Sequence, residues 1–209
     1  QPRRPSPSRP AVLPQSGWLW VALPAIGSGL LLALTNQISQ DVAPMPLLWV
    51  APMAVYLITF ILCFESQRFY RRAVFLPAGF AALLALAWLL KEGFLLGFWP
   101  QVGGYLTILF CGCMFCHGEL YRLRPAPERL TIYYLAISLG GALGGVFVAL
   151  VAPVAFKTLL ETPLIASALA VLGTFILWRE RGTAAPASGW KAAGAATVLI
   201  IAGHAYAQR

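Results

Sequence analysis

Three short clusters hold the residues that could do chemistry in this chain. The first is Cys113-Met114-Phe115-Cys116-His117, which matches the CxxCH string of covalent c-type haem attachment. Attachment needs both thiols accessible on the outer side of a membrane. Here the string closes an apolar run whose following loop carries Arg122 and Arg124, so the cysteines read as small packing groups. Non-covalent haem held axially by His117 is less constrained, because helical bundles carry cofactors on inward-facing side chains. His204 is the only other histidine and falls near the opposite face, so a second axial ligand is not evident. The second cluster is His117 with Glu119, either side of Gly118. Ionisable groups at membrane depth are costly and tend to be functional. The structural alternative is an anchor, with Glu119 reaching headgroup water or pairing with Arg122 three residues along a helix. The third is Thr35-Asn36-Gln37-Ile38-Ser39-Gln40-Asp41, where Asn36, Gln37 and Gln40 become neighbours on one turn if the helix persists, a hydrogen-bonding surface at the mouth of a bundle. No phosphate-binding glycine loop, metal-ligand set or nucleophile triad accompanies them, so the expectation is a chain with no catalytic residue and no metal site. No cofactor is expected; haem is the one alternative.

The elements that position these clusters follow from composition. Hydrophobic residues make up 59% of the 209 residues and charged residues 11%, with a mean hydropathy of +0.75. Soluble domains hold about 45 to 50% apolar and roughly 25% charged residues. A soluble domain this apolar could not cover its surface with polar groups, whereas a bilayer is itself an apolar solvent. That excludes a soluble enzyme. The formal charge of +8 does not indicate nucleic acid, because the basic residues punctuate the apolar runs instead of sharing one face. The four cysteines, Cys63, Cys111, Cys113 and Cys116, all lie inside apolar runs and are expected to be reduced.

The pattern predicts an all-α, polytopic bundle of about seven transmembrane helices, near 17–35, 47–64, 73–90, 94–117, 130–152, 162–178 and 190–207, forming one domain over 17–207. Most of these runs approach the ~20 residues that cross a ~30 Å hydrocarbon core. Residues 1–16, rich in Pro, Ser and Arg, read as a disordered basic tail. The first run is too long for a signal-peptide core and is expected to stay in the mature protein. Twelve of the fifteen Lys and Arg residues fall in the tail and in alternate gaps between runs: Arg3, Arg4, Arg9, Arg68, Arg71, Arg72, Arg122, Arg124, Arg129, Arg179, Arg181 and Lys191. Cytoplasmic loops retain the positive excess, which puts the N-terminus in the cytoplasm and, for seven helices, the C-terminus in the periplasm of a bacterial inner membrane. Within the fifth run, Gly140 with Gly144 and Gly141 with Gly145 make two overlapping small-xxx-small pairs. Such a face lets helix backbones approach closely. Trp18, Trp20, Trp49, Trp99, Trp178 and Trp190 fall near run ends, as interfacial indoles do.

The strings TNQISQDVAPMPLLWVAPMAVYLITFILCFES at 35–66 and CMFCHGELYRLRPAPERLTIYYLAISLGGALGGVFVALVAP at 113–153, with their spacing, resemble the membrane region of bacterial fused major-facilitator/spermidine-synthase-like proteins. The resemblance spans most of 17–180. It implies a multi-helix membrane region preceding a soluble aminopropyltransferase-like domain that would begin near the end of this sequence. Its cofactor- and polyamine-binding residues have no counterpart here. Transport draws less support, since the loop ESQRFYRR lacks the charged Gly, Asp and Arg motif of such transporters and no internal repeat is visible. The expected function is a non-catalytic membrane module, an anchor or assembly partner whose partners are the lipid bilayer and other membrane subunits or itself. The alternatives are an accessory or electron-transfer subunit of a respiratory or photosynthetic membrane complex, and a small-molecule transporter.

Overall fold

The computed structural model describes residues 17–41, 47–66, 68–156 and 161–179; the expected tail at 1–16 and the expected helix at 190–207 lie outside them. Within them the chain is all-helical: α1 (Leu19–Asp41), α2 (Val50–Glu65), α3 (Arg72–Glu92), α4 (Phe98–Arg122), α5 (Leu130–Val146), α6 (Ala152–Ala155) and α7 (Glu161–Arg179). A five-residue π turn, Phe147–Val151, joins α5 to the short α6 as one continuous rod. Four segments are long and apolar enough to cross a membrane: Leu19–Gln40, Arg72–Glu92, Phe98–Arg122 and Pro127–Ala155. α2 and the apolar part of α7 are shorter.

Each of the first six apolar runs coincides with helix, and the boundaries shift for local reasons. α1 runs on past residue 35 to Asp41, because the polar residues Thr35 to Asp41 interrupt hydrophobicity without interrupting the backbone ladder. Thr35 and Ser39 bond back to the carbonyls of Leu31 and Thr35. The fourth helix begins at Phe98 and not at 94. Gly93–Leu95 close a 3-10 turn, Gly97 is extended, and Pro100 sits in the first turn, where its missing N–H costs nothing. The π turn precedes Pro153, whose lack of an N–H and whose ring bulk loosen the hydrogen-bond ladder one turn back.

Contacts between helix ends show the helices alternating in direction. At one end meet the starts of α1, α3 and α5 and the ends of α2, α4 and α7, through Trp20–Leu123, Tyr133–Leu120, Arg72–Glu119, Phe64–Tyr121 and Trp18–Phe175. Arg68, Arg71, Arg72, Arg122, Arg124, Arg129 and Arg179 therefore belong to this end. At the other end, Gln37 of α1 meets Thr162 of α7. α4 runs through the middle, packed against α1, α2 and α3, with every residue from Gly112 to Leu120 buried.

The most extensive helix–helix contact among the described residues is that of α1 with α5. The two glycine rows of α5 are not equivalent. A Cβ at Gly140 would strike the Val21 carbonyl oxygen, and one at Gly144 the Ala25 carbonyl oxygen, while Gly141 faces open space and Gly145 only brushes Leu32. The Ser28 hydroxyl donates across the same seam to the Gly141 carbonyl at 2.9 Å. Side-chain spacing alone treats both rows alike; the helix crossing selects one.

Gly144→Ala should accordingly destabilise the detergent-solubilised protein by about 1 to 3 kcal/mol, the usual cost of overpacking. Gly141→Ala should fall within about 0.5 kcal/mol of the parent. Thermal unfolding of the two variants side by side checks this.

Candidate functional site

The buried end of α4 places two polar groups on different faces. His117 and Glu119 are two residues apart, a spacing that points side chains away from each other on a helix, and they do not pair. His117, 1% exposed, turns toward α2. Its Nδ1 lies 3.1 Å from the Thr59 hydroxyl oxygen, and the rings of Tyr56 and Phe60 stand edge-on to it at 4.9 and 5.2 Å. The Thr59 hydroxyl has one hydrogen and donates it to the Tyr56 carbonyl at 2.7 Å, so toward the imidazole it can only accept. Nδ1 therefore carries the proton, and Nε2 presents a bare lone pair with no hydrogen-bond partner.

Glu119, whose side chain is 4% exposed, gathers two hydrogen-bond donors and a further ion-pair partner. The Tyr70 hydroxyl donates to Oε1 at 2.7 Å, Arg72 Nε stands 3.1 Å from Oε1, and Arg122 Nη1 reaches Oε1 and Oε2 at 3.0 and 3.1 Å. The pairing with Arg122 is the one the three-residue spacing suggests; Tyr70 and Arg72 arrive from the α2–α3 loop and the first residue of α3. Gly118 makes room for this, since a Cβ there would run into the Tyr70 ring. Burial, and after it the neighbouring Glu119 charge, push the Tyr70 phenol well above its ordinary range, so it stays a donor. A cleft of about 470 Å³ opens beside the cluster, lined by Cys63, Tyr70, Arg72, Gly118, Tyr121 and Arg122.

The same helix end is fastened from the other side. The Trp20 indole donates to the Leu123 carbonyl at 3.1 Å, and the Tyr133 hydroxyl to the Leu120 carbonyl at 2.9 Å. Both oxygens belong to the last turn, where backbone donors run short, although the Leu120 carbonyl also accepts from the Leu123 amide at 3.1 Å.

Cys113 and Cys116 are fully buried free thiols, as is Cys63, while Cys111 is half-buried. Cys113 Sγ faces the Gly27 carbonyl of α1 at 4.0 Å, and Cys63 Sγ lies 3.7 Å from Met114 Sδ. Among the described residues no group of three or more His, Cys, Asp and Glu side chains is placed to hold a metal ion. At the opposite end, the polar residues of α1 differ in exposure: Gln37 is buried and its Oε1 accepts from the Thr162 hydroxyl at 3.2 Å, Asn36 is half-buried and Gln40 exposed. The Asp41 side chain lies outside the described residues.

Sequence reading missed Thr59, Tyr70 and Arg72. The first looks like an isolated hydroxyl in an apolar run, and the other two like loop punctuation. The one legible hint was Gly118, a glycine between two ionisable residues inside a helix. Compared with protein-family models, with curated proteins and with solved structures, the chain matches none.

Two outcomes follow from this geometry. Thr59→Val leaves the Nδ1–H buried without an acceptor and should cost about 1 to 3 kcal/mol. His117→Leu removes that N–H together with the unpartnered Nε2, leaves Thr59 its carbonyl bond and leaves Glu119 its own donors. It should therefore stay within about 1.5 kcal/mol of the parent. Chemical or thermal unfolding in a fixed detergent ranks them; a costlier His117→Leu would contradict the assigned tautomer and the separation of the two polar groups.

Proposed function

We propose that the chain is a non-catalytic, multi-pass membrane module that anchors and assembles, as in the membrane region of the spermidine-synthase-like proteins it resembles. The observation that carries this reading is the division of labour between inside and outside. Inside, Glu119 is met by the Tyr70 hydroxyl and the Arg72 and Arg122 guanidiniums, and the bundle buries large side chains such as Leu109, Met114, Leu120, Tyr105 and Tyr133. Outside, only 22% of the most apolar stretch of the Pro127–Ala155 rod is buried, against 44 to 50% for the other three long segments. Leu135, Leu139, Leu143, Leu150 and Val154 stand exposed along it. A face of that kind suits lipid chains or another helix.

Transport asks for a polar path from end to end, and the charged side chains of the described residues lie at the two ends, Lys91, Glu92 and Glu161 at one and the Glu119 cluster at the other. A haem-carrying role asks for an open face at Nε2 of His117. That nitrogen looks instead at Gly27 of α1, where a Cβ would already be in contact at 3.6 Å.

The arginine-rich end is assigned to the cytoplasm of a bacterial inner membrane by the positive-inside rule. In intact cells, single cysteines at Arg68 and Arg124 should resist a membrane-impermeant thiol reagent, while one at Gln40 should react; the reverse would overturn the orientation. A soluble reporter fused to the chain should stay in the membrane fraction through an alkaline carbonate wash. Release of the reporter by that wash would overturn the anchor reading.

A further inference from the structure

We propose that Cys113 and His117 form a buried two-coordinate site for a soft monovalent metal ion, copper(I). The two residues are four apart on α4 and so lie one above the other on the same face. Both meet α1 at one point. Cys113 Sγ is 4.0 Å from the Gly27 carbonyl, and a Cβ built on Gly27 would stand 3.6 Å from His117 Nε2. Glycine at position 27 thus leaves the volume of about one atom open in front of a nitrogen lone pair that has no partner.

The imidazole is held as a metal-bound imidazole usually is. Ligating histidines give their other N–H to an acceptor that fixes tautomer and ring orientation. Here Nδ1–H is taken by Thr59, which passes its own hydrogen to the Tyr56 carbonyl, while Tyr56 and Phe60 hold the ring edge-on. A histidine kept only for packing gains nothing from directing its bare nitrogen into a dry interior, where an unmet acceptor is destabilising.

The donors select the ion. No third His, Cys, Asp or Glu joins them to make a ligand group among the described residues, which disfavours zinc and its four ligands. Copper(I) is content with two, and thiolate is the ligand type that favours it. With bonds of the length zinc makes, about 2.3 Å to sulfur and 2.0 Å to nitrogen, the two donors would stand roughly 4 Å apart across the ion, beyond the reach of a direct hydrogen bond between them. Charge agrees: one copper(I), one thiolate and one neutral imidazole sum to zero, and a neutral adduct is what an apolar interior tolerates. On binding, the Cys113 S–H bond breaks and its proton leaves to solvent, bonds form from copper to Sγ and Nε2, and no electron is transferred. Cys63, which lines the cleft at the arginine-rich end and touches Met114 Sδ, sets soft sulfur between that opening and the site.

The test is anaerobic titration of the purified, detergent-solubilised protein with copper(I) in competition with bathocuproine disulfonate, alongside copper K-edge absorption of the loaded protein. One ion per chain is expected, with one sulfur and one nitrogen in the first coordination shell. Cys113→Ser and His117→Gln should each weaken binding at least about 100-fold, and Thr59→Val by about tenfold, as outer-shell partners do. Gly27→Ala touches no donor but fills the space before Nε2 and should weaken binding at least about tenfold, while Cys111→Ser should leave it unchanged. No binding in competition with the chelator, equal binding in the Cys113 and His117 variants, or a shell of sulfur alone would overturn the proposal. Should a variant fail to fold, the coordination shell of the parent protein decides the matter alone.

Discussion

The carboxylate of Glu119 is the group around which one end of this protein has to be built. A charge buried to this degree is tolerated only when paired and hydrogen-bonded, and its partners come from three places: the α2–α3 loop, the first residue of α3 and the last turn of α4. Meeting that demand fixes where α3 enters and where α4 stops. It also explains the glycine at position 118, since Tyr70 must lie flat on the α4 backbone to reach the carboxylate. On the far side of the same turn, Trp20 of α1 and Tyr133 of α5 take up the carbonyls of Leu123 and Leu120. Three other helices and the α2–α3 loop are thus tied to the end of α4 by polar contacts.

The remainder of the bundle holds together differently. Where lipid is as apolar as the side chains, association rests on close van der Waals contact rather than on expulsion of water. The α1–α5 seam meets that need through Gly140 and Gly144, which bring the Val21 and Ala25 carbonyls against the facing backbone, with Ser28 bonded across. Having spent its glycine face on α1, α5 turns its leucines outward. The longest of the four segments, as apolar as α3, is therefore also the least buried of them, an arrangement that suits an anchoring and assembling role.

Much of the fold is legible in the sequence, because apolar runs and the arginines between them mark helices and alternate ends directly. What is hidden is whatever depends on partners far away in the chain. Glu119 and Tyr70 are 49 residues apart, and His117 and Thr59 are 58 apart; nothing local distinguishes Thr59 from a solitary hydroxyl, or Arg72 from its neighbour Arg71. His117 and Glu119 look like a pair because they are close in sequence, yet helical geometry sends them to opposite duties. The polar stretch 35–41 resembles a loop when hydrophobicity is the guide, although hydroxyls bonded back to the helix carry the backbone through it. A glycine doublet repeated four residues on offers two equal faces until the crossing with α1 chooses between them.

The ion pair between Arg72 and Glu119 is the link that ties α3 to α4, and its coupling energy is the most direct test of the account. A double-mutant cycle built from Arg72→Gln, Glu119→Gln and the pair, read by unfolding in one detergent, isolates that interaction. Organisation around Glu119 requires a coupling of about 1.5 kcal/mol or more, as close and largely buried charge pairs give. A coupling within about 0.3 kcal/mol of zero would mean that the two residues act independently, and that this ion pair does not organise this end of the bundle.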